Sequence, residues 1–133
     1  MTGAWFGRFS YLGGGEPDVS FIASIEELFG MISGTTSEPN TVGDTTMHLN
    51  AVLRGSRDGE DVRFTKLYDG ESDAAHGVDY AGTISTDGTR VTGFWSLAGL
   101  SGGFEMNRTH AEAVEEKQLE VAVESAEEQA RTF

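Results

Sequence analysis

Apolar and polar residues alternate with a period of two through eight segments between Trp5 and Arg108, and this leaves few folds open to the chain. Trp5, Phe9 and Tyr11 share one face of the first run, with Gly7 between them, until Gly13-Gly14-Gly15-Glu16-Pro17 breaks it. Val19, Phe21, Ala23 and Ile25 face one way in the second. A third run, from Phe29 to Thr36, alternates poorly and is expected to end in a turn at Ser37-Glu38-Pro39-Asn40. The fourth aligns Met47, Leu49, Ala51 and Leu53. The fifth aligns Val62, Phe64, Lys66 and Tyr68, and the sixth Val78, Tyr80, Gly82 and Ile84. Val91, Gly93, Trp95 and Leu97 follow, then Gly102, Phe104, Met106 and Arg108. Asp58-Gly59 and Asp87-Gly88 signal tight hairpins, while residues 69–77 form a longer polar loop. Short connections of this kind predict an all-β fold. They favour an eight-stranded antiparallel up-and-down β-barrel over a sandwich with long crossovers.

In such a barrel the first and last strands are neighbours, so Trp5 and Arg108 converge at one end. The guanidinium can then stack on the indole face while donating to backbone carbonyls, and the pair is expected as the barrel's structural signature. After Arg108 the pattern changes. Residues 110–131 lack Gly and Pro and are rich in Ala and Glu, with Thr109 placed to cap a helix. Leu119, Val123, Ala126, Ala130 and Phe133 recur every three or four residues. The chain thus divides into a barrel domain, 1–109, and an acidic amphipathic C-terminal helix, 110–133. The helix is expected to pack on the barrel wall, to pair in a homodimer interface, or to extend as an acidic tail.

The 133 residues carry 22 acidic and 9 basic side chains, a net charge of −13, of which residues 111–133 hold −5. Such a surface repels nucleic acid and anionic lipid, so neither is expected as a partner. There is no cysteine, which removes disulfides and thiolate metal sites. The N-terminal residues show no basic start followed by an apolar run. No segment approaches the roughly 20 apolar residues of a membrane-spanning helix. The expectation is a cytoplasmic protein.

Gly3-Ala4-Trp5 in the first strand, Arg108 in the last and a helix after it resemble the calycin superfamily of lipocalins, fatty-acid-binding proteins and avidins. The runs Val62-Arg63-Phe64-Thr65-Lys66-Leu67-Tyr68, Tyr80-Ala81-Gly82, Gly93-Phe94-Trp95 and Gly103-Phe104-Glu105-Met106-Asn107-Arg108 are similar to uncharacterised bacterial lipocalin-like domains. The resemblance implies an antiparallel barrel of eight or ten strands with the arginine packed over the tryptophan. The chain departs from lipocalins in lacking a secretory signal, a disulfide and the Thr-Asp-Tyr motif.

No constellation of residues declares a reaction. Gly99-Leu100-Ser101-Gly102-Gly103 has the spacing of a nucleophile elbow, but an elbow needs a helix after it, and here strands lie on both sides. His48, His76 and His110 lack metal-ligand spacing, and Asp69-Gly70-Glu71-Ser72-Asp73 lacks the rest of a calcium loop. No catalytic residue, metal or cofactor is therefore assigned. Lys66 is the most informative polar residue, since its phase points it inward. It either reaches the mouth or turns outward through a bulge, or it meets an anionic ligand head, or it serves as a catalytic amine. Tyr11, Lys66, Tyr68, Tyr80 and Trp95 are the candidate ligand-binding residues, with the open end opposite Trp5. The expected function is lipocalin-like binding of a small, partly apolar ligand, hydrophobic or anionic, in the lumen. One alternative is a filled barrel that assembles through its helix or wall. Another is a cavity enzyme performing a cyclisation or isomerisation, with a tyrosine as proton donor.

Overall fold

A computed structural model describes residues 1–13, 17–42, 45–68, 77–109, 112–116, 118–120 and 122–123. Its strands are β1 (Gly3–Phe9), β2 (Val19–Leu28), β3 (Met31–Val42), β4 (Thr45–Asp58), β5 (Asp61–Tyr68), β6 (Val78–Ile84), β7 (Arg90–Leu97) and β8 (Leu100–Asn107). Each pairs antiparallel with its sequence neighbour, and β1 closes on β8 from Phe6 opposite Asn107 to Phe9 opposite Phe104. The alternation read from the sequence becomes the two sides of the wall. Trp5, Phe9, Phe21, Ala23, Ile25, Leu53, Val62, Phe64, Val91, Trp95, Phe104 and Met106 are all buried in one core. Burying each large apolar side chain stabilises the fold by about 1.5–3 kcal/mol. Gly7 is required in this wall because a methyl group there would collide with the Phe21 ring.

Among the described residues three hairpins turn through two residues each, Phe29-Gly30, Gly59-Glu60 and Ala98-Gly99. Phe29 and Ala98 have φ of 51° and 46°, the left-handed region that these tight hairpins demand. Asp87-Gly88, expected as a tight hairpin, lies instead in a wider loop, because the β6–β7 ladder ends at Ile84 opposite Val91. Asp87 accepts hydrogen bonds from Ser85 Oγ, Thr89 N and Thr89 Oγ1, and this presents the Gly88 carbonyl to Arg108.

The stretch Ser37-Glu38-Pro39-Asn40 is not a turn. β3 runs through it and pairs with β4 as far as Val42 opposite Thr45. Among the described residues, β2 follows β3 only to Ile22 opposite Ser37, so beyond Ser37 one side of β3 is an edge. A proline is tolerated on an edge because no neighbour needs its missing N–H. Among the described residues β4 in turn meets β5 only from Ala51 opposite Tyr68. The tips of β3 and β4, 38–42 and 45–50, therefore run on beyond these ladders as a two-stranded arm.

The opposite end is closed. Arg108 lies 4.9 Å from the Trp5 ring centroid and donates to the carbonyls of Thr2 and Gly88, each at 2.7 Å. Trp5 Nε1 donates to the Met1 carbonyl. The expected Trp5–Arg108 contact is thus present, and a helix braces it. This helix, α1, has its described residues within 112–123. Thr109 Oγ1 caps it by accepting from the Glu112 amide at 3.3 Å. Ala113 is buried and Glu116 accepts from Arg108, but Leu119 and Val123 are exposed. The described helix therefore docks through Ala113 and its glutamates at the base rather than through the apolar stripe. Ala126, Ala130 and Phe133 lie outside the described residues. Among the described residues no helix is long and apolar enough to cross a membrane.

Candidate functional site

The inward faces of β1, β2, β5, β6, β7 and β8 bring aromatic side chains together inside the barrel. Phe9, Tyr11 and Trp95 meet edge to face, with Tyr11 and Trp95 at 5.1 Å. Tyr11 lies just past the end of β1, packed against the core. Trp95 Nε1 donates to the Ser10 carbonyl at 2.8 Å, which fixes the indole. A second group stacks Phe64 on Tyr80 at 4.7 Å, with Phe104 edge-on to both.

Lys66 joins the two groups. Its side chain is 2% exposed, so it neither reaches the mouth nor turns outward through a bulge, and the inward phase of β5 prevails. Its ammonium lies 4.8 Å from the ring centroids of Phe9 and Tyr68, 5.4 Å from that of Tyr80 and 5.6 Å from that of Phe21. Four ring faces offset part of the cost of removing a cation from water.

Glu38 supplies the countercharge. Read from the sequence as part of a turn, it is instead buried at the foot of the arm, in phase with Ile32 and Thr36. Its Oε2 is 3.8 Å from Lys66 Nζ, an ion pair too long for a hydrogen bond. The same carboxylate acts on the Tyr68 hydroxyl and helps hold it in its protonated form. Among the described residues Oε2 nevertheless has no hydrogen-bond partner, and neither has Thr36 Oγ1 on the same face of β3. A buried acceptor left unmet costs about 1–3 kcal/mol. The sequence held one signal for Glu38, its two-residue spacing from Thr36, which the adjacent Pro39 obscured.

These surroundings set the protonation states. Burial pushes the Lys66 amine down to about 8, against the pull of Glu38. Burial, reinforced by Glu38, holds the Tyr68 hydroxyl well above the usual phenol range. Burial also raises Tyr80, with the Glu38 charge adding to it. At neutral pH both phenols are therefore donors. An ammonium, two phenolic hydroxyls, the Thr36 hydroxyl and a carboxylate are thus packed together among aromatic rings inside the barrel.

The other candidates do not join this group. His48 is exposed on the arm, while His76, His110 and the 69–73 loop lie outside the described residues. Among the described residues no three metal-ligating side chains cluster. Ser101 lies in β8 opposite Ser96, so strand rather than helix follows it directly. Two open hollows lie on the outer wall. One of about 670 Å³ runs over Gly82, Gly93 and Gly103 between Arg63 and Glu105. The other, of about 630 Å³, lies beside Phe6, Ile22 and His48. Comparison with models of protein families, with curated proteins and with solved structures returns no match to this chain.

Proposed function

We propose that the barrel is a calycin-like binding protein for a small, partly apolar ligand whose anionic head is held by Lys66 in the upper lumen. One observation carries the reading. An ammonium is kept inside a hydrophobic barrel, enclosed by aromatic rings, where a filled structural core would have an aliphatic side chain. Breaking even with apolar packing is difficult for a buried ion pair, so its retention here favours use over stability. Tyr68 and Tyr80 add hydroxyl donors for the head, and Phe9, Tyr11, Phe21 and Trp95 give the tail apolar contact. Titration with 1-anilinonaphthalene-8-sulfonate, an apolar anion, tests this. Wild type should bind it with quenching of Trp95, and Lys66→Met should weaken binding at least tenfold. Absence of binding by wild type to this and to simple fatty carboxylates would reject the reading.

A second reading rests on a different observation, the exposed cross-strand pair Phe6 and Ile22 on the outer wall. Two copies of the chain could cover these residues by meeting wall to wall. Sedimentation of wild type and of a Phe6→Ser/Ile22→Ser variant decides it, a dimer lost on substitution being the supporting result.

A further inference from the structure

The ammonium at the proposed anchor already has a carboxylate beside it, and that carboxylate is poorly held. The ion pairs at the base of the barrel close to 2.7–2.9 Å, whereas Glu38 stays 3.8 Å from Lys66 with Oε2 unmet among the described residues. Glu38 also sits one residue past Ser37, where β2 stops pairing with β3 among the described residues. From there to Val42 the ladder partner of β3 is β4, and among the described residues β4 meets β5 only from Ala51. The site therefore combines a firmly placed cation, on a strand paired on both sides, with a countercharge on a segment of β3 whose ladder partner among the described residues is β4 alone.

We infer that Glu38 is an internal stand-in for the ligand's anionic head, and that binding exchanges one carboxylate for another as the arm carries Glu38 out to water. This rests on the reading of Lys66 as the anchor and adds the ligand's class and the way in. The exchange keeps the lumen neutral in both states, with Lys66 facing either Glu38 or the ligand, so no lone buried charge is ever created. Tyr68, on whose hydroxyl Glu38 now acts, is left to donate to the incoming head. Glu38 recovers its hydration and loses an unmet acceptor. A neutral ligand of the same shape cannot drive the exchange, since removing Glu38 without replacing it would leave the ammonium uncompensated. The preferred class is a singly charged apolar acid.

Two probes of similar shape separate the possibilities, anionic 1-anilinonaphthalene-8-sulfonate and neutral N-phenyl-1-naphthylamine. Glu38→Gln removes the competing charge at constant size. It should bind the anionic probe at least tenfold more tightly than wild type while changing the neutral probe less than twofold. Equal anion binding by wild type and Glu38→Gln would overturn the stand-in and leave the anchor reading intact. Weaker binding by the variant would overturn it too, making Glu38 part of the ligand's own contacts. No anion binding by either protein overturns both. Amide hydrogen exchange on wild type needs no variant. Residues 45–50 should exchange faster when the anionic probe is bound, and unchanged or slower exchange there would overturn the inference.

Discussion

At the base of the barrel, the Met1 ammonium, Arg57 and Arg108 share Glu27 and Glu116 at 2.7–2.9 Å. At the mouth, one ammonium faces one carboxylate at 3.8 Å. Both ends take charge out of water, with opposite results. At the base nearly every donor has an acceptor, and the guanidinium of Arg108 ties the N-terminus, the 85–89 loop and α1 together. At the mouth, among the described residues, an acceptor is left unmet beside aromatic rings. Identical chemistry thus closes the fold at one end and leaves an exchangeable contact at the other. What differs is that the base carboxylates are each met by more than one cation at hydrogen-bonding distance, whereas Glu38 meets a single ammonium across a longer gap.

The hardest test of this contrast is at the base. Arg108→Ala should lower the unfolding free energy by about 2–4 kcal/mol, since it strands two carbonyls and Glu116 as well as baring the Trp5 face. Arg108→Lys should recover little of this, lacking the planar fork. Urea denaturation followed by Trp fluorescence measures both. The mouth should respond in the opposite direction. Lys66→Met/Glu38→Gln removes the buried pair together and should raise stability by about 1–3 kcal/mol, while anion binding disappears. A large loss of stability would mean that the mouth pair is structural like the base, and the contrast would fail.

Acid separates the ends further. Glu116 is held at about 2, where burial is outweighed by its bonds to the Met1 ammonium, Arg108 and Thr2. A depressed carboxyl stabilises the fold above its unfolded pKa, near 4.3, and this is lost as pH falls towards 2. Wild type should therefore lose about 1–2 kcal/mol more than Glu116→Gln between pH 5 and 2. The smallest effect belongs to Lys66. Its folded value of about 8 lies below the 10.4 of an unfolded lysine, so in between the unfolded chain binds more protons. Stability should then rise with pH from about 8 to 10, by on the order of 1 kcal/mol relative to a Lys66→Met reference. Above that, Tyr68 and Tyr80, raised in the fold, reverse the trend.

The base was legible in the sequence and the mouth only in part, for a physical reason. Strand phase alone places Trp5, Arg108 and Lys66, because a period of two leaves no freedom about which side of the wall a residue faces. Glu38 obeys the same phase, but Pro39 beside it has the mark of a turn, and its tolerance depends on β2 parting from β3 beyond Ile22, which is a property of a neighbouring strand and not of the local sequence. Glu116 was hidden differently. One glutamate among seven in residues 111–133 is singled out only when the helix end is docked against Arg108.

The β1–β8 seam also bears on how the chain is made. β1 is made before the other seven strands, yet its second ladder waits for Phe104 to Asn107 in the last of them. Until then Trp5 has no Arg108 above it, and β1 and the most recently formed strand both expose unpaired backbone edges. Closure is thus a late, long-range step, slow by the standards of local folding. A nascent or truncated chain lacking β8 would carry two open edges able to recruit strands from other copies, whereas the finished barrel has sealed that gap.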